Sequence, residues 1–472
     1  MPDFVGRRRE LDTLARQLDR IRQAGRGRPG RALLMRGRRR VGKSRLVEVF
    51  VEHAAVPHVF FTASARSTHE ELSLFAEEVA TSTLPGAGVF DGVVLTSWDA
   101  ALRLLAGALP EDGPSIVVID ELPYLTHSDP GFEGTLQKAF DRHLSRRPVL
   151  LIGIGSDLSV MEALDDYGRP FHQRASEMVI PPLTPAEVAT MLDRTPAEAF
   201  DAYLVTGGLP LICQEWRPGQ SLDDYLTEAT RDPTSALLVS GERVLAAEFP
   251  AALQARSVLG VIGAGETTFS TIGRRAGNMQ QTSLKRSLDL LADKRVVAAE
   301  RPLSTKPSRE TRYRVADPYL RFWLAFIGPY LQEIERGAGD RVLRRIQTSW
   351  TTWRGRAIEP VVREALSRLP IGTRPGDGEV FGGYWTRTND PEIDIVGADR
   401  APVAQAVLVV GSVKWLENKP FDNRDLAALV EHRSQLPGAT ASTPLLAVSR
   451  SGCSTRGLMH LGPADLLAAW QD

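Results

Sequence analysis

The chain has 472 residues, 43% of them hydrophobic and 24% charged, and a net charge of −1. This length predicts two to four domains, and the balanced charge gives no overall attraction to nucleic acid or membrane. The two cysteines exclude a disulfide framework and a cysteine-rich zinc site, which favours a reducing, cytoplasmic location. No apolar signal segment opens the chain and the longest apolar run, 320–331, is too short to span a bilayer, so no membrane partner is expected.

The first predicted elements lead into a phosphate-binding loop. Residues 4–7 precede an amphipathic helix pattern and are interpreted, by themselves, as a strap over the core. An apolar strand at 32–36 then enters G-x-x-x-x-G-K-S at 37–44, and a helix pattern follows. The loop N–H groups and the helix dipole favour phosphate, Lys43 can reach the β- and γ-phosphates of ATP, and the Ser44 hydroxyl can ligate Mg²⁺. We assign nucleotide binding to Gly37, Arg40, Val41, Gly42, Lys43, Ser44 and Arg45.

A second nucleotide motif ends the apolar run 115–119. Such runs are typical of parallel strands buried on both faces, and the ligands of these sheets collect at the carboxyl ends of the strands. Asp120 and Glu121 stand at that end. We expect Asp120 to hold Mg²⁺ through water and Glu121 to act as the catalytic group that orients and activates the attacking water.

Three further residues are candidates for contact with the γ-phosphate. The buried strand 149–154 is followed by Ser156, the predicted sensor. Arg169 and Arg174 follow in a loop-like segment, and one of them, preferably Arg174, is predicted to be an arginine finger that stabilises charge on the transferred phosphoryl group. A solvated surface arginine is the alternative for each.

A helical region begins at Thr184-Pro185-Ala186-Glu187, which has an N-cap, a first-turn proline and a capping glutamate. The helical pattern continues to about residue 245 but contains two glycines and a proline at 207–210. Because glycine and proline destabilise the interior of a helix, we expect a functional turn there.

Residues 251–315 contain twelve basic and five acidic side chains, a local charge of about +7 in a neutral chain. Three helix patterns, then two short strands joined by a basic loop, predict a winged helix-turn-helix. A protein-binding or internal packing module is the alternative, because fold alone does not decide the partner. The candidate contacts to double-stranded DNA are Arg274, Arg275, Lys285 and Arg286.

The last α/β segment carries a possible nuclease remnant. Glu359 lies on a predicted helix, Asp394 on an alternating strand and Lys414 at the end of a buried strand, an order typical of metal-dependent nuclease cores. Ser412 does not fit, because that chemistry needs a second metal-binding acid two residues before the lysine. An ordinary small α/β domain, a degenerate nuclease fold and an active nuclease are the three interpretations.

Together these motifs resemble the prokaryotic predicted ATPases of the AAA+/STAND type, the archaeal-type ATPase family, which carry a C-terminal domain of unknown function related to PD-(D/E)XK nucleases. The resemblance implies that Phe4, Val5 and Arg7 belong to an opening box that contacts the adenine. It also implies that Pro210 is the lid proline that packs on the nucleotide.

We therefore expect an α/β protein in four parts. These are a P-loop AAA+-like parallel-sheet core (1–183), a helical lid (184–250), a winged helix-turn-helix with a linker helix (251–335), and a restriction-endonuclease-like α/β domain (336–472). The predicted activity is Mg²⁺-dependent ATP hydrolysis in a molecular switch whose nucleotide state controls DNA or protein binding. The alternatives are an ATP-dependent DNA-processing enzyme with a nuclease tail and a DNA-binding regulator without catalysis in the tail. Double-stranded DNA, a protein partner and a second copy of the chain are the candidate partners.

Overall fold

The computed structural model describes residues 4–24, 27, 29–155, 161, 174–249 and 252–471. The chain forms two compact units, Met1–Pro182 and Leu183–Asp472. The boundary between them lies at the predicted end of the ATPase core. The predicted lid, winged helix and C-terminal domain share the second unit. In the described part of the chain, no helix is both long and apolar enough to cross a membrane.

The first unit is built on a five-stranded parallel sheet of order β2-β3-β4-β1-β5. β3 and β4 are buried along their whole length, as their continuous apolar sequences predict. The strands are β1 (Arg31–Arg36), β2 (His58–Thr62), β3 (Ser115–Asp120), β4 (Val149–Gly155) and β5 (Ala175–Val179). The helices are Arg8–Gln23, Lys43–Ala54, Thr68–Ala80, Trp98–Ala108, Leu122–Ser128 and Phe132–Arg142.

This strand order places both nucleotide motifs at one edge of the sheet. The loop 37–44 follows β1 and the acids follow β3, and β4 alone separates these two strands. Since all five strands are parallel, the loop and the acids meet at the carboxyl edge, where open α/β sheets bind ligands.

The second unit begins with helices rather than with one continuous helical stretch. The helix Pro196–Thr206 ends at Gly207, and a new helix begins at Pro210. Gly207 and Gly208 have φ angles of 60° and 68°, and a Cβ on Gly207 would lie 2.7 Å from the Cβ of Tyr319. The two glycines are therefore needed for a sharp turn packed against its own unit. The helices of this region are Pro185–Leu192, Pro196–Thr206, Pro210–Glu215, Leu222–Ala229 and Ala236–Glu248.

Three helices and a two-stranded antiparallel ladder occupy the basic segment. The helices are Leu253–Gly263, Phe269–Arg275 and Gln281–Asp293, and the strands are β6 (Val297–Glu300) and β7 (Arg312–Val315).

The C-terminal part is a mixed sheet with helices on both faces, of order β12-β11-β10-β9-β8. β8 and β9 are antiparallel to their neighbours, whereas β10, β11 and β12 are parallel. The strands are β8 (Val380–Trp385), β9 (Glu392–Ala398), β10 (Val407–Lys414), β11 (Leu445–Ser449) and β12 (Met459–Leu461). The remaining helices are Pro318–Phe326, Leu331–Glu335, Gly339–Arg368, Asn423–Gln435 and Pro463–Leu467. The predicted fold class, a parallel-sheet α/β core with a further C-terminal α/β domain, is confirmed.

Candidate functional site

The loop between β1 and the helix Lys43–Ala54 has the backbone of a phosphate cradle. Gly42 has a φ of 86° and Arg40 a φ of 68°, both in the left-handed region. A Cβ on Gly37 would lie 2.5 Å from the carbonyl oxygen of Ile180. The motif glycines are therefore required by the turn and by close backbone approach, and the helix begins directly at Lys43.

Lys43 is held inside this loop. Its Nζ donates to the carbonyl oxygens of Gly37 at 2.9 Å and Arg38 at 3.0 Å, and the side chain is 7% exposed. Burial lowers the pKa of Lys43 to about 8, against the opposing charges of Glu121 and Asp120. The ammonium group has three donors and the loop takes two of them, so the group is fixed where phosphate oxygens would enter the cradle.

Asp120, Glu121 and Ser44 meet beside the lysine. Burial raises the pKa of Asp120, and hydrogen bonds from the Ser44 hydroxyl and the Glu121 N–H oppose that shift. The Glu121 N–H donates to Asp120 Oδ1 at 2.9 Å, and Glu121 itself stands at a φ of 52° before the helix Leu122–Ser128. A hydroxyl next to a carboxylate is an oxygen donor pair that suits Mg²⁺. The structure thus brings Lys43, Ser44, Asp120 and Glu121 together.

Arg7 braces the same loop. Its guanidinium is buried and donates to the carbonyl oxygens of Val41 at 3.0 Å and Pro181 at 2.6 Å. Phe4 and Val5 are half-buried beside it in sequence. Arg7 also pairs with Glu10 at 3.4 Å, and the contact of Phe4, Val5 and Arg7 with adenine stays a prediction.

The candidates for the γ-phosphate contact need a correction. Arg174 directly precedes β5, and Ala175 is level with Ala32 at the start of β1. It therefore lies at the amino edge of the sheet, opposite the loop, where its Nε donates to Asp141 Oδ2 at 3.0 Å. A strand length therefore separates Arg174 from the phosphates of its own chain, and its role as an arginine finger stays a prediction only for the phosphates of a neighbouring copy. Ser156 and Arg169 lie outside the described residues.

Arg45 and Pro210 are the other two residues assigned to nucleotide binding. Arg45 is 45% exposed on the helix Lys43–Ala54 and forms ion pairs with Glu48 at 3.1 Å and Glu52 at 3.6 Å. Pro210 opens its helix in the second unit, and its packing on a nucleotide stays a prediction.

The nuclease-like residues have different observed partners. Asp394 Oδ2 accepts from the Ser412 hydroxyl at 2.9 Å and the Val413 N–H at 2.8 Å. Burial, and then the charge of Asp394, raises the pKa of Glu359 to about 7, so these two carboxyls are neighbours. Lys414 instead donates to Asp425 at 2.7 Å. The interpretation of Glu359, Asp394 and Lys414 as a nuclease remnant stays a prediction, and the part of the chain that the structure describes contains no cluster of three or more His, Cys, Asp or Glu arranged to hold a metal.

The four candidate DNA-binding residues are exposed on two neighbouring helices of the basic segment. Two of them have acidic partners: Arg275 pairs with Glu266 at 3.0 Å and Lys285 with Asp289 at 2.9 Å. The other two exposed candidates are Arg274 and Arg286.

The loop between β6 and β7 is anchored to the C-terminal sheet, which the sequence did not predict. Leu303 is 2% exposed, and its N–H donates to the carbonyl oxygen of Gly383 at 2.9 Å. The Ala404 N–H donates to the carbonyl oxygen of Ser304 at 2.9 Å. Arg312, at the end of the loop, pairs with Glu392 at 2.5 Å. The apolar Pro302-Leu303 pair inside a basic loop is the sequence signal that could have indicated this docking.

A buried ion cluster ties the helix Pro196–Thr206 to the C-terminal domain. Asp201 Oδ2 accepts from Arg354 at 3.1 Å and Arg450 at 2.9 Å, and the Arg354 side chain is 1% exposed. Arg354 also pairs with Glu417 at 2.9 Å. Sequence reasoning missed this cluster, because its members lie far apart in the chain; Asp201 and Arg354, for example, are 153 positions apart.

Comparisons with known proteins give one family and several distant relatives. Residues 323–426 match the family DUF234, described as archaeal and bacterial proteins of unknown function. The uncharacterized protein MJECL04 of Methanocaldococcus jannaschii is 24% identical over 440 residues, 92% of each chain. The solved Walker-type ATPase PABY2304 of Pyrococcus abyssi has 20% identity and a TM-score of 0.49, covering 68% of this chain and 96% of that one. The ORC2 protein of Aeropyrum pernix, solved in ADPNP–ADP complexes, has 17% identity and a TM-score of 0.48, covering 74% and 96%.

The phosphate loop, the two acids after β3 and the parallel sheet define a P-loop ATPase. More particularly, residues 323–426 of this chain match DUF234, a family of unknown function. The predicted family resemblance is confirmed at this level.

Proposed function

We propose that the chain is an ATP-hydrolysing switch of the AAA+/STAND type, in which the nucleotide bound by the first unit controls binding of double-stranded DNA by the second. The observation that carries the proposal is the meeting of Lys43, Ser44 and the two acids at one edge of a parallel sheet.

Each of these residues has a distinct role. The loop N–H groups and Lys43 bind the phosphates, and Ser44 with Asp120 would hold Mg²⁺, which neutralises charge on the β- and γ-phosphates. Glu121 accepts a proton from water as the water oxygen bonds to the γ-phosphorus. The bond from that phosphorus to the β–γ bridging oxygen breaks, and ADP and phosphate are released.

The second unit provides the proposed DNA surface. Exposed ion pairs contribute only about 0–1 kcal/mol, so DNA phosphates can replace Glu266 and Asp289 as partners of Arg275 and Lys285. A ligand shifts a conformational equilibrium only by contacting its two states differently. We assign that differential contact to the turn at Pro210, which would sense whether the γ-phosphate is present.

The first experiment measures ATP turnover by the full chain with and without double-stranded DNA, beside the Glu121→Gln variant. DNA-stimulated turnover that the variant abolishes supports the coupled switch. Turnover that DNA leaves unchanged supports a switch that senses a protein, and absence of ATP binding contradicts the proposal.

DNA binding is then measured against salt concentration for the Lys285→Ala/Arg286→Ala double variant. Loss of two phosphate contacts lowers the salt slope of log K by about 1–2. The matched control is Arg341→Ala/Arg344→Ala, which removes two exposed cations from another helix of the same unit. Salt-insensitive binding, or equal effects of both pairs, contradicts the assignment.

The tail is not assigned a cutting role. Lys414 is paired with Asp425, and a hydroxyl occupies position 412. Ser412→Glu supplies the acid that nuclease chemistry needs, and a gain of Mg²⁺-dependent DNA cleavage would revive the DNA-processing alternative.

A further inference from the structure

The phosphate loop concentrates more positive charge than one lysine provides. Arg38, Arg39, Arg40 and Lys43 lie within the eight residues 37–44. Like charges at this separation repel each other, and the charge of Arg39 contributes to lowering the pKa of Lys43. Such a loop is stabilised by an anion that carries several negative charges, as a triphosphate does.

Arg39 is directed from the loop toward the acids. Its NH2 group donates to the Tyr124 hydroxyl at 3.4 Å. Tyr124 lies in the first turn of the helix Leu122–Ser128, and its N–H donates to the carbonyl oxygen of Glu121 at 2.9 Å. This hydrogen bond joins the loop that follows β1 to the helix that follows β3, and both lie at the carboxyl edge of the sheet. The Arg39 guanidinium therefore lies at the same edge of the sheet as Lys43 and Glu121.

We infer that Arg39 contacts the γ-phosphate of ATP within its own chain and that Tyr124 is its positioning residue. The inference rests on the proposed ATPase function and deepens it. A guanidinium presents a planar fork of donors that matches two phosphate oxygens, and a cation fixed at that position stabilises charge that develops during transfer. Arg174 cannot fill this role in the same chain, since it lies at the opposite edge of the sheet.

The test separates the γ-phosphate from the rest of the nucleotide. Affinities for ATP and ADP and single-turnover hydrolysis are measured for the full chain and for Arg39→Ala. We expect hydrolysis to fall about 10²- to 10³-fold and ATP affinity to fall while ADP affinity is unchanged. Arg39→Lys keeps the charge without the fork and recovers part of the rate. Arg103→Ala, which removes an exposed arginine from the helix Trp98–Ala108, is the matched control.

Tyr124 is tested through its dependence on Arg39. Tyr124→Phe removes only the hydroxyl and should slow hydrolysis about 10-fold with ADP affinity unchanged, as expected for loss of one orienting hydrogen bond. In the double variant Arg39→Ala/Tyr124→Phe, the Tyr124 change should cause no further loss of hydrolysis rate, because both changes act through the Arg39 guanidinium. Independent, multiplying losses would contradict the positioning role.

The outcomes distinguish this inference from the proposed function. A wild-type chain that neither binds nor hydrolyses ATP overturns the ATPase proposal. A wild-type chain that hydrolyses ATP, with an Arg39→Ala variant that loses ATP and ADP affinity equally or loses neither affinity nor rate, overturns the role of Arg39 alone. Retained ADP binding shows that the variant is folded, and Arg39→Gln repeats the test if the alanine variant is not.

Discussion

The guanidinium of Arg7 donates a 3.0 Å hydrogen bond to the carbonyl oxygen of Val41, 34 positions along the chain and inside the phosphate loop. The same group reaches Pro181, after β5, at 2.6 Å. The buried Arg7 side chain therefore connects the start of the first unit, the phosphate loop and the segment that follows β5. The loop's shape depends on a residue that precedes the motif by 30 positions.

Arg7→Ala should destabilise the first unit by about 1–3 kcal/mol, because the buried carbonyl oxygen of Val41 and the partly buried one of Pro181 lose a charged donor. ATP affinity should fall with it. Hydrogen exchange read by mass spectrometry over residues 37–44 measures the loss locally. Arg8→Ala removes the exposed neighbour and should change neither quantity. Unaltered protection of the loop in Arg7→Ala would show that Arg7 does not brace it.

Arg174→Ala should leave ATP turnover per chain unchanged in dilute protein. Its partner is Asp141, both side chains are more than a third exposed, and such pairs contribute about 0–1 kcal/mol. Turnover is measured as a function of protein concentration. A loss of turnover that appears only at high concentration would indicate that Arg174 acts on a neighbouring copy.

The second unit should show a pH-dependent stability that depends on Glu359. Burial and the charge of Asp394 raise its pKa from 4.5 to about 7, so the folded state binds this proton more tightly than the unfolded state. The stabilisation is complete below about pH 4.5 and is lost as the pH rises through 7.

Glu359→Gln should remove this slope. The free energy of unfolding of the variant minus that of the wild type should be about 1–2 kcal/mol larger at pH 8 than at pH 5. Urea unfolding followed by tryptophan fluorescence measures it, since seven of the eight tryptophans lie in the second unit. Parallel stability curves for the two proteins between pH 5 and 8 would contradict the assignment.

Asp201→Ala should destabilise the second unit by about 3–5 kcal/mol, because it leaves the buried cations Arg354 and Arg450 facing each other without their acid. Glu417→Gln is the matched control: it removes the other partner of Arg354, which is 57% exposed, and should cost less than about 1 kcal/mol. The same fluorescence experiment compares them. Equal losses of stability in the two variants would argue against a stabilising buried ion cluster at Asp201.

Leu303→Ala should release the loop between β6 and β7. Truncation of a fully buried leucine side chain lowers the free energy of unfolding by about 2–5 kcal/mol. This loss should affect mainly the contact between the loop and the C-terminal sheet. Limited trypsin digestion should then cut after the exposed Arg309, since prolines follow Arg301 and Lys306 and block cleavage there. Val403→Ala, at a residue 39% exposed, is the control that should leave cleavage unchanged.

The sequence by itself determined the nucleotide site, because local patterns define it. The loop 37–44 needs glycines at fixed positions, and a continuous apolar strand ending in Asp120 and Glu121 can only carry those acids to a sheet edge. Parallel pairing then brings the two motifs together. The helices and strands of the basic segment could also be predicted, since helix and strand periodicities are local.

Only the tertiary structure decided which distant charges meet. Arg174 looked suitable as a finger in sequence, but strand register places it at the wrong edge. Lys414 matched a nuclease pattern, but its side chain pairs with Asp425 on the next helix. The roles of Arg7, Asp201 and Tyr124 were likewise hidden, because hydrogen bonds and ion pairs between elements depend on packing, which no local periodicity encodes.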